Sequence, residues 1–144
     1  ILMKSRIDII FEGLKEHLIE NYPGTKKIAE SLIDIQYKRC LLAEKEHYKH
    51  GRQYMHTGHE DMTICVSSSI EHLDIENIHG LFLHEIGHII VDQIRVMYTD
   101  MLHNRPCDDI KEATDGELLA DVVIENIWGI TIRYDENKVQ WAKI

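Results

Sequence analysis

The chain is short of proline, cysteine, basic residues and long apolar runs, and each shortage excludes a class of protein. Only two prolines occur in 144 residues, against plentiful Leu, Ile and Val, so intrinsic disorder is not expected. Three cysteines, Cys40, Cys65 and Cys107, form neither a CxxC pair nor the even, closely spaced set of a small secreted scaffold, and reduced thiols are expected. No apolar stretch approaches the roughly 18 residues that span a bilayer, which excludes a membrane partner. No apolar leader segment follows the N-terminus, so a cytoplasmic protein is expected. Lys and Arg number 16 against 25 Asp and Glu, a net charge of −9. That balance excludes a nucleic-acid binder working by phosphate neutralisation and suits basic substrates or partners. Nothing in the composition fixes the oligomeric state.

What is abundant is histidine: ten residues, of the type most often found as a metal ligand and a frequent acid–base group. The length suits one domain, 1–144, with one core. Ile7, Ile10, Phe11, Leu14 and Leu18 recur at helical spacing before Pro23-Gly24. From Ser31 to Lys38, Ile33, Ile35 and Tyr37 alternate with polar residues and predict a half-buried strand. Two more strands are expected at Gln53 to Thr57 and Met62 to Ser67, joined by the turn residues Gly58-His59-Glu60-Asp61. After a cap at Asp74 or Asn77, apolar residues surround a helix running to Gln93, which makes it the central helix. A polar loop is expected from Thr99 to Lys111. A further helix, Thr114 to Trp128, presents Leu118, Leu119, Val122, Val123 and Ile127 and ends at Gly129. The last fifteen residues fit either a short strand at Ile130 to Arg133 or a terminal helical turn.

On the central helix the chain reads His84-Glu85-Ile86-Gly87-His88, an HExxH sequence. Positions four apart on a helix share a face about 5–6 Å apart, so both imidazoles can reach one zinc ion. Glu85 projects one step round the helix, placed to take a proton from a metal-activated water as general base. Catalytic zinc usually has three protein ligands and one open position. A metzincin arrangement fails, because Val91 and Ile94 stand where its glycine and histidine belong. Glu117 and Asp121, one turn apart on the following helix, offer a third ligand and a carboxylate able to orient a ligand histidine. His103, Asp100, Glu112 and Asp115 are the other candidates for the third ligand. Tyr98, His103 and Tyr134 are candidate donors to a developing oxyanion. His47 and His50 have spacing compatible with a second metal, and Cys107 with a latency switch. For each of these an ordinary surface or loop role is the simpler reading, as it is for His56, His59, His72 and His79.

HExxH followed by Glu117-x-x-Ala120-Asp121 resembles the gluzincin metallopeptidases, most closely their small branches, the ImmA/IrrE-like and minimal gluzincins, some phage-associated. The resemblance covers roughly Met62 to Ile127. It implies an α+β zincin-like domain, in which a small mixed sheet packs on the HExxH helix and a Glu-bearing helix follows. It implies one zinc ion on His84, His88 and Glu117, with Glu85 as base and Asp121 behind a ligand. It also implies that Met62 to Ser67 is the edge strand onto which an extended peptide substrate adds. In the ImmA/IrrE branch an asparagine more often stands at the place of Asp121. The expected activity is hydrolysis of peptide bonds in one dedicated protein. The rivals are a metallopeptidase-like regulatory or binding module with little turnover, and a purely structural zinc domain.

Overall fold

Ser5 starts the first helix. Its hydroxyl accepts from the Asp8 amide at 3.2 Å, and the Asp8 carboxylate accepts from the Ser5 amide at 3.1 Å, a reciprocal cap that satisfies two otherwise unpaired donors. In the computed structural model the described residues are 4–22, 24, 31–39, 54–57, 62–102 and 116–144, with the side chains of 93–102, 116 and 117 outside that set. Helix α1, Arg6–Glu20, buries Ile7, Ile10, Phe11, Leu14 and Leu18, the stripe its spacing predicts.

The next segment departs from expectation. Residues 31–34 form a helical turn, and strand β1 is confined to Gln36–Arg39. The buried pair is Leu32 and Ile35, three apart as a helical turn requires, while Ile33 is 58% exposed. The alternation of Ile33 with Ile35 therefore implied a longer strand than exists.

Strands β2, Met55–Thr57, and β3, Thr63–Val66, pair antiparallel as expected, with His56 opposite Cys65. Strand β1 pairs with β3 in parallel, giving the order β1-β3-β2. The 62–67 segment is thus the centre of the sheet and not its edge. Ile64, Cys65 and Val66 are buried in succession, as befits a strand covered on both faces. The edge nearest the HExxH helix is β2. Cys65 is disulfide-bonded, with its partner outside the described residues. This overturns the expectation of reduced thiols: spatial neighbours decide thiol pairing, and an odd count does not report them.

After a 3-10 turn at Ser68–His72, helix α2 runs from Ile75 to Leu102. It is longer than the expected end at Gln93, and its last residues take in the start of the supposed loop. No glycine or proline occurs between Gln93 and Leu102, so nothing local stops the helix before Pro106. Among the described residues no helix is long and apolar enough to cross a membrane. Ile78, Phe82, Leu83 and Ile86 are wholly buried, which makes α2 the central element anticipated from its all-round apolarity.

Helix α3, Gly116–Trp128, packs along α2. Its inward residues are Ala120 and Ile124, both fully buried, whereas Leu118 and Val122 of the expected stripe are 57% and 39% exposed. Gly129, at φ +70°, closes the helix, with its amide donating to the Glu125 carbonyl at 2.8 Å. The Trp128 indole donates to the Leu18 carbonyl at 2.9 Å and ties α3 to α1. The ambiguous C-terminal residues form a two-stranded hairpin, β4 (Arg133–Tyr134) with β5 (Gln140–Trp141). The whole is a mixed α+β fold with a small sheet, as expected.

Two glycines set how closely α2 is approached. A Cβ on Gly80 would lie 2.5 Å from the Trp141 backbone, and one on Gly87 would lie 2.4 Å from the Ala120 carbonyl oxygen. The hairpin and α3 therefore come against α2 backbone to backbone, a spacing that any side chain at these positions would forbid.

Candidate functional site

His84, Gly87 and His88 lie three and four apart and share one face of α2. Glu117, Ala120, Asp121 and Ile124 share one face of α3 by the same rule. Because Gly87 presents no side chain to Ala120, the two faces close on each other and their polar groups meet. Gly87, an "x" of HExxH, and Ala120, the alanine of the Glu-x-x-Ala-Asp run, thus have a packing function. Gly87 and Ala120 set the separation across which His84 and Asp121 touch.

That contact is the most defined feature of the site. His84, only 2% exposed, has Nδ1 at 2.6 Å from Asp121 Oδ1. With Nδ1–H donated to the carboxylate, the lone pair of the ring resides on Nε2. His84 Nε2 in turn lies 3.1 Å from His88 Nε2, with the two ring planes 88° apart. Zn–N bonds of 2.0–2.1 Å in a tetrahedral site place two ligand nitrogens about 3.3 Å apart. The two Nε2 atoms lie at hydrogen-bond distance, which is close to that ligand spacing, and two histidines with a helical carboxylate are a donor set that would fit zinc. The second oxygen of Asp121, Oδ2, accepts from the Tyr134 hydroxyl at 2.7 Å.

Glu85 sits beside this pair and is 8% exposed. The Thr57 hydroxyl, from edge strand β2, donates to Glu85 Oε2. A buried carboxylate needs such a partner, and the bond fixes one oxygen of Glu85 and ties it to edge strand β2. Thr57 was not singled out from the sequence. Twenty-eight residues separate it from Glu85, and no spacing rule connects them.

Glu117 lies on α3 one turn before Asp121, on the face described above; its side chain is outside the described set. Among the described residues no group of three or more His, Cys, Asp or Glu side chains is arranged to hold a metal. The other third-ligand candidates, Asp100, His103, Glu112 and Asp115, also fall outside, as do His47, His50, His59, Cys107 and the Tyr98 side chain. His56 lies on strand β2, His72 is exposed at the end of the 3-10 turn, and His79 is half-buried on helix α2. Of the candidate oxyanion donors Tyr134 is the one described, and its hydroxyl is directed to Asp121.

No family model matches the chain, and neither a curated protein nor a solved structure matches it.

Proposed function

We propose that the chain is a zinc-dependent metallopeptidase with a gluzincin-type, zincin-like site, acting on an extended segment of a protein or peptide. The observation that carries this reading is the orientation of His84. Asp121 holds its Nδ1, and its Nε2 is left facing the Nε2 of His88 at 3.1 Å. His84, His88 and Glu117 would hold one zinc ion, which when bound supplies polarisation of the scissile carbonyl and acidification of a water. Glu85, fixed at one oxygen by Thr57, accepts a proton from the attacking water and returns it to the leaving amine. Strand β2 offers the backbone edge on which an extended substrate lies, since β3 is taken up on both sides. The close Gly87–Ala120 contact keeps the three ligand-bearing positions at one fixed separation.

A second reading, a metallopeptidase-like binding module with little turnover, draws on the depth of Glu85. A base 8% exposed with one oxygen already engaged is well made for a structural role. Glu85→Gln separates the two. The enzyme should retain zinc and lose peptide hydrolysis by about 10²–10⁴-fold, the usual contribution of a general base. Unchanged biological function in that variant would remove the enzyme and leave the binding module or a structural zinc domain. Metal analysis of His84→Ala and Glu117→Ala tests the ligand set, and full zinc content in Glu117→Ala would remove that residue from it.

A further inference from the structure

The mechanism above leaves Tyr134 unused, although it makes one of the few defined contacts in the site. The structure assigns it as a positioning residue: the C-terminal hairpin is a clamp that, through the Tyr134 hydroxyl, fixes the Asp121 carboxylate and thereby the direction of His84 Nε2. This inference rests on the metal-centre reading and goes further by giving a role to a residue that neither binds metal nor touches substrate.

The torsion that sets a carboxylate's plane is broad, so one hydrogen bond leaves the group free to rock. Asp121 has both oxygens engaged on opposite duties: Oδ1 accepts from His84 Nδ1 at 2.6 Å and Oδ2 from the Tyr134 hydroxyl at 2.7 Å. Two anchors define the plane, and the plane defines the imidazole. Such a clamp works only if the tyrosine itself is held, and the hairpin is held at several points along α2. Asn77 Nδ2 donates to Asp135 Oδ2 at 3.2 Å and to the Gln140 carbonyl at 3.1 Å. The Ala142 amide donates to the Glu76 carbonyl at 3.0 Å. Gly80 admits the Trp141 backbone to a distance that a Cβ would not allow. Within the hairpin, Asp135 Oδ1 accepts from the amides of Asn137 and Val139, each at 2.9 Å. Tyr134, next to Asp135, is thus carried on a rigid piece anchored to the same helix that bears His84. Tyr134 is 48% exposed, so burial contributes little at this position, and the contact it brings to the site is that of its hydroxyl with Asp121.

Oriented partners behind a metal ligand typically change metal affinity by 10–100-fold when removed. The test is zinc affinity by chelator competition on the full chain, for wild type, Tyr134→Phe, Asp121→Ala and the double variant, with the visible spectrum of the cobalt-loaded forms as a second readout. Tyr134→Phe should weaken zinc about tenfold and alter the cobalt spectrum, while the metal-free protein melts at the wild-type temperature, because a half-exposed ring loses only its oxygen. The double variant should bind no more weakly than Asp121→Ala alone, since the hydroxyl acts through that carboxylate. Wild-type affinity in Tyr134→Phe would overturn the assignment, including the case in which hydrolysis falls while zinc stays, which would make the tyrosine an oxyanion donor. Additive losses in the double variant would overturn it as well. In both cases the metal centre would stand; a wild-type chain that takes up no zinc would overturn the centre and the clamp together.

Discussion

Helix α2 is packed in two opposite ways. Toward α1 and strand β1 it uses bulk. Phe82, wholly buried, meets the Phe11 ring at 4.9 Å and the Tyr37 ring at 5.6 Å, and those two rings stand edge to face at 5.0 Å. Toward α3 it uses absence of bulk, with Gly87 against the Ala120 backbone. The first contact supplies burial, about 1.5–3 kcal/mol for each large apolar side chain taken from water, and its exact shape is negotiable. The second supplies little area but fixes a distance, and the His84–Asp121 hydrogen bond exists only at that distance. One side of the helix holds the fold together, and the other side sets the geometry of the site.

If that division is right, variants on the two sides should separate stability from metal binding. Phe82→Ala should have the largest effect on stability, a loss of about 3–5 kcal/mol from the cavity left among the three rings. Urea unfolding measures it. Zinc affinity of the fraction that remains folded should stay within a few-fold of wild type, and a parallel collapse of affinity would break the comparison.

Gly87→Ala is the converse. The new methyl would be driven to 2.4 Å from a carbonyl oxygen of the helix backbone, and a backbone cannot swing aside as a side chain can. Overpacking of this kind costs about 1–3 kcal/mol, of which helix propensity returns up to about 1 kcal/mol. The net change in stability should therefore be smaller than for Phe82→Ala. Zinc affinity should fall by tenfold or more, because α3 must move off and take Asp121 and Glu117 with it. Competition titration beside the urea curve reads both, and an affinity equal to wild type would show that the separation of α2 and α3 is not what aligns the proposed ligands.

The same contrast explains which parts of the molecule could be read from the sequence. The face of α1, the apolar surround of α2 and the stop at Gly129 follow from periodicity and backbone preference, and those are local. The pairing of His84 with His88 is local too, because one helical turn joins them. The Asp121 contact was legible as a spacing on one face of α3, with Gly87 a signal that HExxH leaves blank and Ala120 one that the Glu-x-x-Ala-Asp run names. Thr57 on Glu85 and Tyr134 on Asp121 depend on how strands are ordered and where a hairpin returns, which no spacing records. The order β1-β3-β2 does not follow from spacing for the same reason, although the apolar run Ile64-Cys65-Val66 is the pattern of a strand covered on both faces. The outward turn of Leu118 and Val122 shows the limit of reading a helix by its largest residues: the inward face of α3 was chosen for smallness.

The gentlest way to sharpen the comparison is pH, because His79 lies half-buried on α2 within electrostatic reach of His17 on α1. Burial lowers its pKa below the usual 6.5, with Glu76 opposing and His17 adding to the fall. The unfolded chain therefore takes up a proton at a higher pH than the folded one. Between about pH 6.5 and the lowered value the unfolded state binds more protons, so stability rises with pH and is lost as the solution is acidified through that window. Above it His79 is neutral in both states and has no such influence. Urea midpoints at pH 7.5, 6.5 and 5.5 should fall toward acid more steeply in wild type than in His79→Gln. The difference should be small, because the ring keeps contact with solvent. Equal slopes would mean that the α1 side of α2 is no drier than the open surface, and the contrast between the two faces would then rest on side-chain volume alone.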